Sequence, residues 1–193
     1  MTHKPESYYL QKLIDIPIPP KIGVLDFYRN VRVPKDWEPF FTLGDIMEMK
    51  IIAISGGFDP VHKGHVQMIE EASKVGPVMV VLNSDEWLVR KKGYVFMPWD
   101  ERAYILGNIK GVHIVAQVDD SDGTVCEALR RMKPDAFANG GDRKETNTPE
   151  MEVCDYLDID LLWNVGGEKT QSSSTLVNKA RWEQRQIPSG EIK

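Results

Sequence analysis

The densest chemistry in this 193-residue chain lies between Gly56 and His65, where the sequence reads GGFDPVHKGH. The run before it, KIIAIS from Lys50 to Ser55, is short and apolar, as suits a strand buried on both faces. The run after it, GHVQMIEEASKV from Gly64 to Val75, sets Val66, Ile69 and Ala72 on one helical stripe and stops at Gly76-Pro77. His62 and His65 therefore sit at a strand-to-helix turn. Gly56 and Gly57 let a ligand approach the backbone with no Cβ in the way. Gly64 and His65 fall at the helix start, where unpaired N–H groups and the positive end of the dipole attract phosphate. The two imidazoles, three residues apart, can face that anion together and donate to phosphoryl oxygens as charge builds up in a transition state. The segment describes a site for a nucleoside triphosphate. Asp59 is expected to shape the loop rather than to act as a base. A zinc site is the competing use of two histidines, but zinc needs three or four ligands. Only His3 and His113 remain as histidines, and Cys126 and Cys154 fall in expected helices.

The elements that must position these residues alternate regularly. Val78–Leu82, Val112–Ala116, Asp135–Ala138 and Ile159–Trp163 read as further strands. Helices are expected over 84–90, from Pro98 to about Ile109, over Thr124–Met132, from Pro149 after a Thr148 cap, and from Ser172–Ser174 to about Trp182. Alternating strands and helices predict an α/β, Rossmann-like, doubly wound, five-stranded parallel sheet. Ligands bind such sheets outside the carboxyl ends of the strands, where strand order reverses. Two strand ends carry paired glycines, Gly56-Gly57 and Gly140-Gly141. Neighbouring first and fourth strands would bring both pairs to one crevice.

Residues 1–48 read differently. Six of the twelve prolines precede residue 40, which excludes regular helix or central strand over most of that stretch. Tyr8, Tyr9, Phe27, Tyr28 and Trp37 nevertheless favour burial. An irregular N-terminal arm is expected, laid over the main domain or over a second subunit in a homodimer. Residues 49–182 form the expected catalytic domain and 183–193 a polar tail. Lys and Arg number 24 and Asp and Glu 29, a net charge of −5. That balance argues against a general nucleic-acid binder. No apolar run reaches the length of a membrane helix, and two cysteines suit a reduced, cytoplasmic protein.

GGFDPVHKGH resembles the H-x-G-H signature of the cytidylyltransferase-like nucleotidyltransferases. Three more segments extend the resemblance. RKKGYVFMPWDER, Arg90–Arg102, looks like a basic loop followed by an E-R helix. ALRRMKPDAFANGGDR, Ala128–Arg143, looks like the branch in which P-D leads a strand into G-G-D. KTQSSSTLV, Lys169–Val177, resembles the closing serine/threonine motif at a helix N-terminus. Among its members, the heptose-1-phosphate adenylyltransferases and glycerol-3-phosphate cytidylyltransferases are similar to this sequence.

The resemblance implies that His62 and His65 contact the triphosphate and stabilise the pentacoordinate α-phosphorus. Gly56, Gly57, Phe58, Asp59 and Gly64 would line the nucleotide site. Gly140, Gly141 and Asp142 would lie near the base and ribose, with Ser173 and Ser174 on the β- and γ-phosphates. Arg90, Lys91 and Lys92 would close over substrate phosphates, and Arg102 would hold a phosphate of acceptor or nucleotide. Lys169 stands near the place of the family's arginine, which a lysine cannot reproduce as a bidentate phosphate ligand. Gln171 or Ser172 replaces a family glycine. The implied reaction is transfer of AMP or CMP from a nucleoside triphosphate to a sugar or polyol phosphate, with Mg²⁺ carried mainly by the triphosphate. A dinucleotide-cofactor synthase of the same superfamily and a non-catalytic nucleotide-binding protein are the alternatives.

Overall fold

A computed structural model describes residues 50–141, 149–167 and 171–186. The arm, Asp142, Lys169 and the tail from 187 lie outside the described residues.

Five strands form one parallel sheet in the order β3-β2-β1-β4-β5. They are β1 (Ile52–Gly56), β2 (Val78–Leu82), β3 (Val112–Gln117), β4 (Ala136–Ala138) and β5 (Asp160–Leu162). The helices are α1 (Lys63–Ser73), α2 (Asp85–Lys92), α3 (Trp99–Gly107), α4 (Cys126–Met132), α5 (Pro149–Leu157) and α6 (Ser173–Gln186). β1 is central and pairs with β2 on one side and β4 on the other. The order reverses between β1 and β4, which places both paired glycines at one crevice, as expected.

Strand residues alternate between two cores because successive side chains point to opposite faces. Ile52 and Ile54 of β1, with Val78, Val80 and Leu82 of β2, pack against Ile69 and Ala72 of α1 and Leu106 of α3. Ala53, Met79, Val81 and Phe137 pack on the other face against Leu129 of α4 and Val153 and Cys154 of α5. All five residues of β2 are buried, which accounts for its unbroken apolar sequence.

The sequence expectation differs most at Arg90–Lys92. Arg90 ends the expected helix, and Lys91 and Lys92 continue it as the last turn of α2 instead of opening a loop. The charge pattern explains the helix: Asp85 and Glu86 occupy its first turn and the three cations its last, both favourable to the macrodipole. Ser84 caps its start by accepting from the Trp87 N–H at 3.0 Å. Gly93 ends it in the left-handed conformation, at φ 79°, with its N–H on the Val89 carbonyl. α4 also starts later than expected, at Cys126, because the Thr124 N–H and hydroxyl are taken by the Asp122 carboxylate in a local turn.

Candidate active site

The turn from β1 into α1 folds the two histidines onto each other. His62 is the residue before the first turn of α1, in extended conformation, and its backbone N–H donates to His65 Nδ1 at 3.3 Å. The rings stack, with centroids 3.7 Å apart and planes 17° from parallel. The buried Phe58 ring lies 4.7 Å from the His65 ring, at 59°. An imidazole that accepts at Nδ1 carries its proton on Nε2. His65 thus carries its ring N–H on Nε2.

Asp59 is 1 % exposed. Its carboxylate accepts from the N–H groups of Phe96 and Met97 at 2.9 and 2.7 Å and pairs with Lys92 at 3.1 Å. Those contacts tie the carboxylate to the 96–97 backbone and to Lys92.

The crevice is about 390 Å³ and opens at the carboxyl ends of β1, β2 and β4. Gly56, Gly57, Phe58 and Asp59 form its floor beside His62, Gly64 and His65. Gly140 and Gly141 border it from β4, and Ser173 and Ser174 from the start of α6. The Ser173 hydroxyl donates to the Pro60 carbonyl at 2.9 Å, which ties α6 to the histidine turn. Ser172 caps α6 by accepting from the Thr175 N–H at 3.1 Å. Two helix starts, α1 and α6, therefore face one space, and each favours an anion. A glycine is required at 141 by close approach. A Cβ there would come within 2.7 Å of Asn164 Oδ1 and against the Gly167 carbonyl.

Lys91 and Lys92 line the crevice; Arg90 and Arg102 do not. Arg90 donates to the Asp120 carbonyl at 2.6 Å and approaches its carboxylate at 3.5 Å. It fastens α2 to the loop after β3. Arg102 also departs from expectation. It is fully buried and donates to the carbonyls of Met97, Gly57 and Asn83 at 2.9, 2.7 and 3.0 Å, and to the Asp85 carboxylate. With four of its five N–H donors directed at protein oxygens, Arg102 clamps the ends of β1 and β2 together. Lys92 is half committed, since its ammonium also donates to the Asp59 carbonyl at 2.6 Å.

Several residues that sequence reasoning passed over belong to the site. Asn83 and Trp87 line the crevice, and so does the Val165–Gly167 turn after β5. Asp120, 3 % exposed, gathers Asn83 Nδ2, the Ser84 N–H and the Ser84 hydroxyl at 2.6–3.0 Å. The signal for Trp87 was its helical spacing of four from Lys91.

Among the described residues no group of three or more His, Cys, Asp or Glu could hold a metal ion. With Asp59 engaged, the floor of the crevice offers no carboxylate cage.

The cytidylyltransferase-like family model matches residues 53–177. The chain belongs to that family. Its curated relatives include the bifunctional protein HldE of Aliarcobacter butzleri, 32 % identical over 113 residues, which cover 57 % of this chain and 23 % of that protein. The FAD synthase of Ferroglobus placidus is 34 % identical over 95 residues, 49 % of this chain and 61 % of that one. HldE of Campylobacter jejuni is 29 % identical over 160 residues, 81 % of this chain and 32 % of that protein. The chain thus matches less than two thirds of the length of these relatives. A lipopolysaccharide core biosynthesis protein from Thermoplasma volcanium shares the fold, with a TM-score of 0.51, 21 % identity and coverage of 60 % of this chain and 95 % of that one. Family membership makes the paired histidines part of a nucleotidyltransferase domain. No helix among the described residues is long and apolar enough to cross a membrane.

Proposed function

We propose that this protein is an adenylyltransferase that moves AMP from ATP to the phosphate of a sugar or polyol phosphate and releases pyrophosphate. The observation that carries the reading is the stacked His62–His65 pair at the start of α1, facing the start of α6 across one crevice. Two helix N-termini and an imidazole Nε2–H suit a triphosphate undergoing substitution. An acceptor phosphate oxygen attacks the α-phosphorus, a new P–O bond forms, and the bond to the bridging oxygen breaks. Pyrophosphate leaves with the electron pair. The acceptor is already ionised near neutral pH, so no general base is needed, which agrees with the engagement of Asp59. Catalysis then rests on holding two anions in line and on neutralising charge. Mg²⁺ on the triphosphate would supply further neutralisation. Adenine is favoured over cytosine by the match to an FAD synthase, whose named product contains adenine.

That same match favours a second reading, in which the acceptor is FMN and the product a dinucleotide cofactor. Pyrophosphate release with ATP, CTP, GTP and UTP, each against glycerol 3-phosphate, hexose 1-phosphates and FMN, tests both. Release with ATP and a sugar or polyol phosphate supports the first reading. Release with FMN alone replaces it by the second. No release with any pair refutes the transferase reading.

A further inference from the structure

We infer that Asn83 Oδ1, with the Ser55 hydroxyl on the neighbouring strand, forms a subsite for a hydroxyl group of the acceptor, across the sheet edge from the histidines. This rests on the transferase reading above and adds a requirement to it: the acceptor carries a free hydroxyl as well as its phosphate.

The crevice straddles the carboxyl edge of the sheet. α1, with His62 and His65 at its start, packs on the face that presents Ile52, Ile54, Val78 and Val80. Ala53, Met79, Val81 and Phe137 face the other way, toward α4 and α5. Side chains alternate along a strand. Ser55 therefore follows Ala53, and Asn83 follows Val81, onto the α4 and α5 side. The ladder reaches as far as Asn83, whose N–H donates to the Gly56 carbonyl at 3.1 Å. Ser55 stands opposite Val81 in the β1–β2 register, so Ser55 and Asn83 are one alternation apart on adjacent strands. Both line the crevice. The space thus has imidazoles and the start of α1 on one side and two neutral polar groups on the other.

Asn83 is 3 % exposed and held from several directions. Its carbonyl accepts from Arg102 at 3.0 Å, and its Nδ2 donates to Asp120 Oδ2 at 3.0 Å. Asp120 is fixed in turn by the Ser84 N–H and hydroxyl at 2.8 and 2.6 Å. The amide cannot turn over without setting Oδ1 against that carboxylate, two acceptors with no proton between them. Oδ1 is left as the amide atom for the crevice, and among the described residues nothing donates to it. A ligand that covers this atom must donate to it or leave it unpaired at a cost.

Charge selects the donor. The Asp120 carboxylate stands behind the amide and polarises it through the hydrogen bond, which strengthens Oδ1 as an acceptor. Arg90 offsets only part of that charge, at 3.5 Å from the carboxylate. A phosphate or carboxylate is disfavoured at such a point, and a neutral O–H is suited to it. Ser55 Oγ both donates and accepts, as a ligand hydroxyl does, so the two groups complement one.

Calorimetric titration of the full chain compares glycerol 3-phosphate and glucose 1-phosphate with n-propyl phosphate, which has a phosphate but no hydroxyl; ATP is titrated separately. The parent should bind at least one hydroxylated ester about tenfold or more tighter than propyl phosphate, because a site built to bond a hydroxyl rejects the analogue that lacks it. Asn83→Ala should bring that ratio to within about threefold by weakening the hydroxylated ligand alone, with propyl phosphate and ATP affinities close to those of the parent. Ser55→Ala, which removes a hydroxyl without a bond to the fold among the described residues, should lower the ratio in part and serves as the test if Asn83→Ala folds poorly. A parent that does not discriminate would overturn the inference. So would a ratio unchanged in both variants, or parallel losses for propyl phosphate and ATP. Discrimination that is lost in the variants of a protein releasing no pyrophosphate would refute the transferase reading and leave the subsite standing. Pyrophosphate release with propyl phosphate as fast as with glycerol 3-phosphate and glucose 1-phosphate would do the reverse.

Discussion

Replacing Arg102 by methionine separates the two roles its sequence position suggests. The side chain is fully buried and makes four hydrogen bonds, three to carbonyls and one to a carboxylate. Methionine fills much of the volume but supplies no donor. Breaking one side of a buried ion pair costs about 3–5 kcal/mol, and each buried carbonyl left without its donor costs about 1–3 kcal/mol. Partial relaxation and water entry beside Asp85, whose side chain is 35 % exposed, keep the total near the lower sum, roughly 4–6 kcal/mol. For a domain of this size each kcal/mol moves the melting temperature by about 2–4 °C. A fall of roughly 8–24 °C is therefore expected in a calorimetric or circular-dichroism melt. Arg102→Lys keeps the charge but reaches fewer oxygens and should fall between. ATP affinity, measured at a temperature where both proteins are folded, should drop only modestly. A variant that melts within about 2 °C of the parent but loses ATP or acceptor binding tenfold would refute the clamp and make Arg102 a phosphate ligand.

His62→Ala and His65→Ala should each lower turnover a hundredfold or more, the effect of losing a transition-state donor worth about 2.7–4 kcal/mol. Stopped-assay rates within threefold of the parent for both would remove the histidines from the mechanism. The double variant should lose less than the product of the two, because the stacked rings act as one unit. Gly141→Ala forces a Cβ against Asn164 and Gly167 and should destabilise the domain by about 1–3 kcal/mol, as read by urea midpoint; an unchanged midpoint would mean the 164–167 turn yields freely. Burial pushes the Cys154 thiol up from 9.0 to about 11, with Cys126 and Glu150 nearby adding to the shift. The folded state then holds a proton that the unfolded state releases, so stability falls as pH rises from about 9 toward 11. Alkylation of Cys154 at pH 8 should be far slower in native than in urea-unfolded protein; equal rates, read by peptide mass spectrometry, would contradict that burial.

The order of elements and the histidine turn were legible because they depend on local pattern. Apolar runs of strand length, glycine pairs at their ends and helical stripes each report on their own few residues. The cations were not legible, because a charge does not reveal its partner. Arg102 meets the Gly57 carbonyl 45 residues away and the Asn83 carbonyl 19 residues away, and no spacing encodes either. RKK looked like a loop beside Gly93, although Ser84, the acidic first turn and Gly93 together spell a complete capped helix. Trp87 was hidden for the same reason: its indole N–H meets the Gly123 carbonyl, supplied by a loop 36 residues further on. Asp142 and Lys169, assigned through resemblance, lie outside the described residues.

The sheet order has a consequence for how the protein comes into being. One wall of the crevice comes from residues 55–92 and the other from 138–174. β1, β2 and β3 follow one another in the chain, and β4, the partner on the far edge of β1, is made after them. The crevice does not exist until β4 adds to that edge and α6, the last element, sets Ser173 on the Pro60 carbonyl. A nascent chain that has reached only Gln117 holds three of the five strands and one wall of the crevice. On the transferase reading proposed above, the chain should therefore bind nucleotide only once α6 has docked on the histidine turn.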